Sequence, residues 1–337
     1  MNAAAVPTGR RSVVTGGAGF IGSHLVEALL DRGDTVTVID DLSTGDRANL
    51  ASVWNHPSFE FVEGSILDRP FLRSVMTGTD RVFHLAAAVG VHVIIDEPLQ
   101  SLRTNIHGTE NVVDLAHELG LTMLLVSTSE VYGKNTADRL SEDADRVLGS
   151  PLLSRWTYAA AKGIDEAYAH AYWSAYGFPV TIVRLFNTVG PRQKGRYGMV
   201  LPRLVRQALA GEPMTVYGDG RQTRCFSYVG DVIPALIALS QTSAALGCAV
   251  NLGGAEEVSI LDLALRIGSV LGSDSPVKLV DYAEAYAPGY EDMRRRVPDN
   301  TLAGDLVGYR PTTSIDTMIL RVAEHITGRP LTPAGRV

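Results

Sequence analysis

The 337 residues, 45% hydrophobic and 20% charged, have the balance of an ordinary folded globular protein, long enough for one large domain or for a large and a small one. A net charge of −7 argues against a general nucleic-acid or membrane surface, because both partners reward a basic face. Met1 to Arg10 lack the apolar core of a signal peptide and no later run approaches the ~20 apolar residues of a membrane span, so a cytoplasmic location is the default expectation. From the N-terminus onward, short β-branched or apolar runs alternate with longer amphipathic stretches, which predicts repeated βαβ units and an α/β fold. Candidate strands are Ser12 to Thr15, Thr35 to Ile39, Phe59 to Val62, Arg81 to Leu85, Thr122 to Ser127 and Val180 to Leu185. Between the first two, Ile21, Leu25, Ala28 and Leu29 recur at helical spacing before Gly33, and further helices are expected over about Leu99 to Leu119 and Tyr158 to Tyr176. After roughly Gly190 the pattern loosens, with Gly and Pro at Gly211 to Pro213, Gly218 to Gly220 and Pro288 to Gly289. The expected organisation is therefore a doubly wound parallel sheet over 1–190 and a smaller C-terminal α/β lobe over 191–337. A segment at about 225–250, opened by a helix that Asp231 caps, returns to the first lobe. Cys225 and Cys248 are too few for a disulfide framework and lack zinc-site spacing; buried packing is expected for both, and no metal.

The segment Thr15-Gly16-Gly17-Ala18-Gly19-Phe20-Ile21-Gly22 follows the first strand and opens the first helix, the context of a Rossmann-type dinucleotide loop. Gly16, Gly19 and Gly22 let the backbone turn tightly and approach a pyrophosphate, whose charge meets free N–H groups and the positive helix end. Asp40, at the end of the second strand, is placed to accept hydrogen bonds from the adenosine ribose and to repel a 2′-phosphate, which favours NAD over NADP. Tyr158 and Lys162 stand four apart at the start of a predicted helix and project from one face. An ammonium beside the phenol is expected to lower its pKa, so that Tyr158 removes a hydroxyl proton as hydride leaves the same carbon. Ser127, Thr128 and Ser129 end the fifth strand at the carboxyl edge, where such sheets bind ligands, and Thr128 is the favoured hydroxyl partner.

Together these residues resemble the extended short-chain dehydrogenase/reductase family over nearly the whole chain. Further landmarks follow in order: His84-Leu85-Ala86-Ala87, Asn105 with Gly108-Thr109, and Arg184-Leu185-Phe186-Asn187 leading into Gly190-Pro191. The resemblance implies that Phe20, Ile21, Leu85 and Ala87 line the NAD site and that Lys162 reaches the nicotinamide ribose. In Gly64-Ser65-Ile66, Ser65 stands where the family usually has Asp; its hydroxyl keeps a hydrogen-bonding group beside the adenine, with Ile66 as the apolar contact. The family also implies a homodimer, two long helices per subunit packing as a four-helix bundle.

Ser127-Thr128-Ser129-Glu130-Val131-Tyr132-Gly133 is more specific and resembles UDP-glucuronate decarboxylases, as do Gly149-Ser150-Pro151 before Arg155-Trp156-Thr157-Tyr158, Gln222-Thr223-Arg224-Cys225-Phe226, and Tyr290-Glu291-Asp292 with Arg296-Val297-Pro298. By that resemblance Asn187, Gln222, Arg224 and Tyr290 contact the nucleotide diphosphate or sugar, and Ser129, Glu130 and Arg296 serve decarboxylation. Oxidation at C4 places a ketone β to the C5 carboxylate, an electron sink that lets carbon dioxide leave. Glu130 would repel the substrate carboxylate, and Arg296 would orient it or stabilise the enolate. The implied products are UDP-xylose or the UDP-4-keto-pentose. Plainer readings stay open: Glu130 as a solvated glutamate, Arg296 as a surface charge, Asn187 as a loop former, Arg224 as a structural ion-pair residue, Tyr290 as a packing aromatic. Arg192, Lys194, Arg196 and Arg203 either embrace the diphosphate or solubilise a loop. Two other functions compete: a UDP-sugar 4-epimerase using the same Tyr158 and Lys162, and a silent NAD- or sugar-binding module.

Overall fold

A computed structural model of the chain describes residues 9–89, 98–194, 199–285, 291 and 293–332. Seven strands form one parallel sheet: β1 (Arg11–Thr15), β2 (Thr35–Asp40), β3 (Phe59–Glu63), β4 (Arg81–His84), β5 (Thr122–Thr128), β6 (Val180–Leu185) and a seventh strand, Ala249–Leu252. Their order across the sheet is β3-β2-β1-β4-β5-β6 and then the seventh strand, every pairing parallel. A parallel sheet is covered on both faces, which is why β4 and β6 are buried at every residue rather than alternating. One face packs on α1 (Phe20–Asp31) together with Val229–Leu239 and Thr301–Val307; the other packs on α2 (Arg69–Met76), α3 (Pro98–Glu118) and α4 (Thr157–Tyr176). The sheet is thus doubly wound, Rossmann-like, as its six sequence-predicted strands anticipate.

The seventh strand is a finding that periodicity did not give. It has only four residues, Ala-Val-Asn-Leu, and includes the buried polar Asn251; Asn251 Oδ1 accepts from the Tyr132 hydroxyl at 2.8 Å and its Nδ2 donates to Leu140 O at 2.9 Å. Such a strand is recognisable only once its long-range partners are in place. The helix before it starts at Val229, and Asp231 does not cap it: the carboxylate accepts the Thr313 N–H at 3.1 Å and the Thr313 hydroxyl at 3.0 Å. Of the cysteines, Cys225 is buried and Cys248 only partly so.

A second core gathers α5 (Val200–Ala210) and the helices Ile260–Leu271 and Ile315–Thr327 around a parallel pair, Met214–Tyr217 with Val277–Val280. Nearby, Thr223–Cys225 pairs with Glu257–Ser259 and with Arg295–Arg296. No helix among the described residues is long and apolar enough to cross a membrane.

Candidate active site

The strand order reverses direction at β1, which has β2 on one side and β4 on the other, and crevices open at the carboxyl ends of such strands. Thr15, His84 and Thr128 end β1, β4 and β5 on that one edge, so the segments after them converge. A cavity of about 460 Å³ runs from there to the second core, within the range of small-molecule sites.

The glycine loop forms its near wall, with Gly16, Gly19, Phe20, Ile21 and Gly22 all lining it. Gly16 has a φ of +73°, and a Cβ there would lie 2.7 Å from Ala86 N; a Cβ on Gly22 would lie 2.2 Å from Gly16 O. Gly19 opens α1 with extended backbone and no side-chain cap, and the first turn carries no acidic residue. Unfilled N–H groups and the positive dipole end are thereby left to a phosphate, so the cradle fits a dinucleotide. Gly22→Ala is expected to cost about 1–3 kcal/mol by overpacking the loop and to weaken NAD binding about tenfold or more, measured by denaturant melts and titration calorimetry.

Asp40 lines the cavity, and its carboxylate ties the loop together, accepting the Ala18 N–H at 2.9 Å and the Leu42 N–H at 2.8 Å. Burial pushes its pKa up against the opposing pull of those two bonds. Ile66, Leu85 and Ala87 line the same cavity. Ser65 does not: its hydroxyl turns back to accept the Leu67 N–H at 3.3 Å.

Thr128, Ser129, Glu130 and Tyr158 line the cavity beyond, because β5 ends into a 3-10 turn, Ser129–Tyr132, that faces the first turn of α4. Ser127 is taken up structurally, donating to Glu166 Oε1 at 2.5 Å, while Glu166 also pairs with Arg184 at 2.7 Å. Thr128, half-buried at the strand end, lines the cavity, and its Oγ1 accepts the Glu130 N–H at 3.1 Å. The expected lowering of the Tyr158 pKa is corrected. Burial pushes the phenol well above its ordinary value, and the nearby charges of Glu130 and Asp165 push the same way. Lys162 lies behind the wall, 2% exposed, with its ammonium 2.9 Å from Asp165 Oδ2, so its charge is largely compensated.

Glu130 is not a solvated glutamate. Its two oxygens each receive a guanidinium, Arg155 Nη1 at 2.6 Å and Arg296 Nη1 at 2.6 Å. These pairs hold its pKa at about 2, although burial alone would raise it. One carboxylate between two guanidinium groups leaves a net positive charge, so the expected repulsion of a substrate carboxylate is replaced by local attraction. Arg296 is also not a surface charge: in the strand Arg295–Arg296 alternation sends Arg295 outward to Glu257 and Arg296 inward, where Nη2 donates to Asn187 Oδ1 at 2.5 Å. Arg155 is the functional side chain missed by sequence reasoning, which quoted it only as part of a motif; the signal was its place three residues before Tyr158.

Asn187, Gln222 and Arg224 line the same cavity. Gln222 Nε2 donates to Tyr217 O at 2.9 Å, and Arg224 Nη1 donates to Met293 O at 2.7 Å. Arg192 lines the cavity with a φ of +69° and pairs with Glu27 at 2.6 Å; Lys194 pairs with Asp46 at 3.3 Å, and Arg203 stacks on Tyr217. Tyr290, Asp292 and Arg196 lie outside the described residues. Motifs distant in sequence meet at Glu291, whose Oε2 accepts the Trp156 Nε1–H at 2.8 Å and pairs with Lys134 at 3.1 Å, while Gly149 has no room for a Cβ against both.

The family model described as "NAD dependent epimerase/dehydratase family" matches residues 12–253. The chain is 39% identical to a UDP-N-acetyl-alpha-D-glucosaminuronate decarboxylase of Bacillus cytotoxicus, over 90% of this chain and 94% of that protein. It is 35% identical to UDP-glucuronic acid decarboxylase 1 of Xenopus tropicalis, over 91% of this chain and 70% of the other. Among solved structures, a UDP-glucuronic acid 4-epimerase from Bacillus cereus, in complex with UDP-glucuronic acid and NAD, superposes with a TM-score of 0.83 at 30% identity, covering 94% and 99% of the two chains.

Proposed function

Since the chain belongs to the NAD dependent epimerase/dehydratase family, we propose that it is an NAD-dependent carboxy-lyase that decarboxylates UDP-glucuronate through a 4-keto sugar. The observation that carries this is the Arg155–Glu130–Arg296 cluster, a buried anion-attracting group on the cavity wall beside Tyr158. Curated decarboxylases alignable over most of the chain support it.

In this reading Gly16, Gly19, Phe20, Ile21, Gly22 and Asp40 hold the dinucleotide, with Ile66, Leu85 and Ala87 along it. Bound NAD supplies the hydride acceptor, later the donor, and a cationic ring whose field opposes the burial that raises Tyr158. Tyr158 takes the C4 hydroxyl proton, with Thr128 sharing that hydrogen bond and Lys162 behind it. Arg296 and Arg155 orient the C5 carboxylate; when carbon dioxide leaves, its bonding electrons pass into the 4-keto group, and the guanidinium charge stabilises the enolate. Glu130 steadies the two arginines, and Ser129, on the same stretch of cavity wall, serves the decarboxylation. Asn187, Gln222, Arg224, Arg192 and Tyr290 take the nucleotide diphosphate and sugar. The chain divides into the NAD-binding part, 1–190, and a mainly substrate-binding part, 191–337, and works as a homodimer through Pro98–Glu118 and Thr157–Tyr176. Leu99, Ile164 and Tyr176 are exposed on those helices, which supports that packing.

The test is product mass. UDP-glucuronate and its 2-N-acetylated counterpart, offered separately to NAD-loaded protein, are expected to yield carbon dioxide and a UDP-pentose or 4-keto-pentose from at least one. An epimerase leaves the mass unchanged, and a silent binding module leaves the substrate untouched; either result overturns the reading.

A further inference from the structure

Asp165 is one of the most deeply buried carboxylates in the molecule, 1% exposed, and neither the cavity wall nor the proposed reaction uses it directly. It sits one turn beyond Lys162 on α4 and holds the ammonium at 2.9 Å. Thr109 on α3 lies beside it. The Thr109 hydroxyl lies 3.1 Å from His84 Nε2, and His84 Nδ1 lies 2.7 Å from the Thr15 hydroxyl at the end of β1. Thr15 in turn accepts the Ala86 N–H at 3.3 Å, in the segment that packs on Gly16. Burial makes His84 neutral, holding its pKa near 3.

A neutral imidazole has one N–H, so one of the two hydroxyls, Thr15 or Thr109, accepts from the ring and the other donates to it. The Ala86 amide donates to Thr15. The Asp165 carboxylate faces the Lys162 ammonium as its charge partner. A buried ammonium without a counter-charge loses several kcal/mol of solvation and favours the neutral amine.

We propose that Asp165 is a positioning residue that, as the buried counter-charge of the Lys162 ammonium, holds that side chain in place behind the cavity wall. The proposal rests on the role given to Lys162 in NAD binding and proton transfer, but not on which sugar is the substrate. Asp165 acts through Lys162 alone, so its removal matters only while the lysine is present.

A double-mutant cycle tests this on the full chain, reading NAD affinity by titration calorimetry, thermal stability, and kcat against KM on whichever sugar nucleotide the wild type turns over. Asp165→Asn keeps the shape but removes the charge. NAD affinity is expected to fall by about tenfold, and kcat by about tenfold to 10²-fold, with KM for the sugar nucleotide changed by less than about threefold. Lys162→Met is expected to melt lower than Lys162→Met/Asp165→Asn, because the single variant strands a buried carboxylate that the double variant neutralises. Adding Asp165→Asn to Lys162→Met should leave NAD affinity where Lys162→Met put it. If Asp165→Asn weakens NAD binding equally with and without Lys162, or leaves both NAD affinity and kcat unchanged, the carboxylate only packs the core and the proposal fails. Should Asp165→Asn not fold, Asp165→Ser replaces it in the same cycle: unchanged NAD affinity and kcat then overturn the proposal, and losses confined to the lysine-bearing background support it. A wild type that binds NAD yet releases no carbon dioxide would refute the decarboxylase reading while leaving the NAD and melting arms of the cycle intact.

Discussion

Tyr158→Phe is expected to lower turnover by about 10²–10⁴-fold while leaving the protein folded and able to bind NAD. The ring is 8% exposed and held in the first turn of α4, so phenylalanine fills the same space and only the hydroxyl is lost. Burial and the Glu130 and Asp165 charges favour the protonated phenol in the resting site, which means the base must be generated when substrate and cofactor close the cavity. A residue in that condition is costly to replace, because its hydroxyl is the group that this reading assigns to the C4 proton. Carbon dioxide release and the absorbance of reduced nicotinamide both report the loss. Near-normal release of carbon dioxide by the variant, with calorimetry showing unchanged NAD binding, would move the base to another group and with it the whole assignment of the cavity.

How much of this arrangement was legible in the chain depends on the sequence distance over which each signal acts. The glycine loop and Asp40 were readable because strand, turn and helix follow one another within a few residues, and the turn chemistry demands glycine. The parallel sheet was readable because its strands carry short apolar or β-branched runs, as in Val13-Val14, Val82-Phe83 and Thr181-Ile182-Val183. The seventh strand was not, since Asn251 interrupts its apolar run and finds its partners, Tyr132 and Leu140, more than a hundred residues earlier. Within the site, Tyr158 and Lys162 were legible as a helical pair, but not the competitor three residues on: Asp165 looks like one more solvated charge on an amphipathic helix until α3 covers it. Arg296 was ambiguous for the opposite reason. A run of three arginines suggests solvent, and only the pairing of Arg295–Arg296 with Thr223–Cys225 sends one of them inward.

The Glu130 clamp carries the other large expected effect, on stability and chemistry together. Glu130 titrates near 2 in the folded protein against an ordinary value of 4.5, because Arg155 and Arg296 favour its charged form. A depressed pKa stabilises the fold above the unfolded value and is lost as pH falls through the folded one. The Glu130 contribution is therefore complete above about pH 4.5 and gone near pH 2; a shift of that size corresponds to about 3 kcal/mol. Glu130→Gln is accordingly expected to lower unfolding free energy by about 3 kcal/mol at neutral pH, consistent with the ~3–5 kcal/mol cost of breaking buried ion pairs. The gap to the wild type should shrink as pH falls between 4.5 and 2. Denaturant melts across pH read both. In catalysis the same change frees Arg296 from one anchor while Asn187 still holds the other. Hydride transfer at C4, which depends on Tyr158, should then suffer less than carbon dioxide release, and reduced nicotinamide should accumulate relative to product. Equal loss of both signals, or a pH-independent stability gap, would mean that Glu130 supports the fold without setting the carboxylate chemistry.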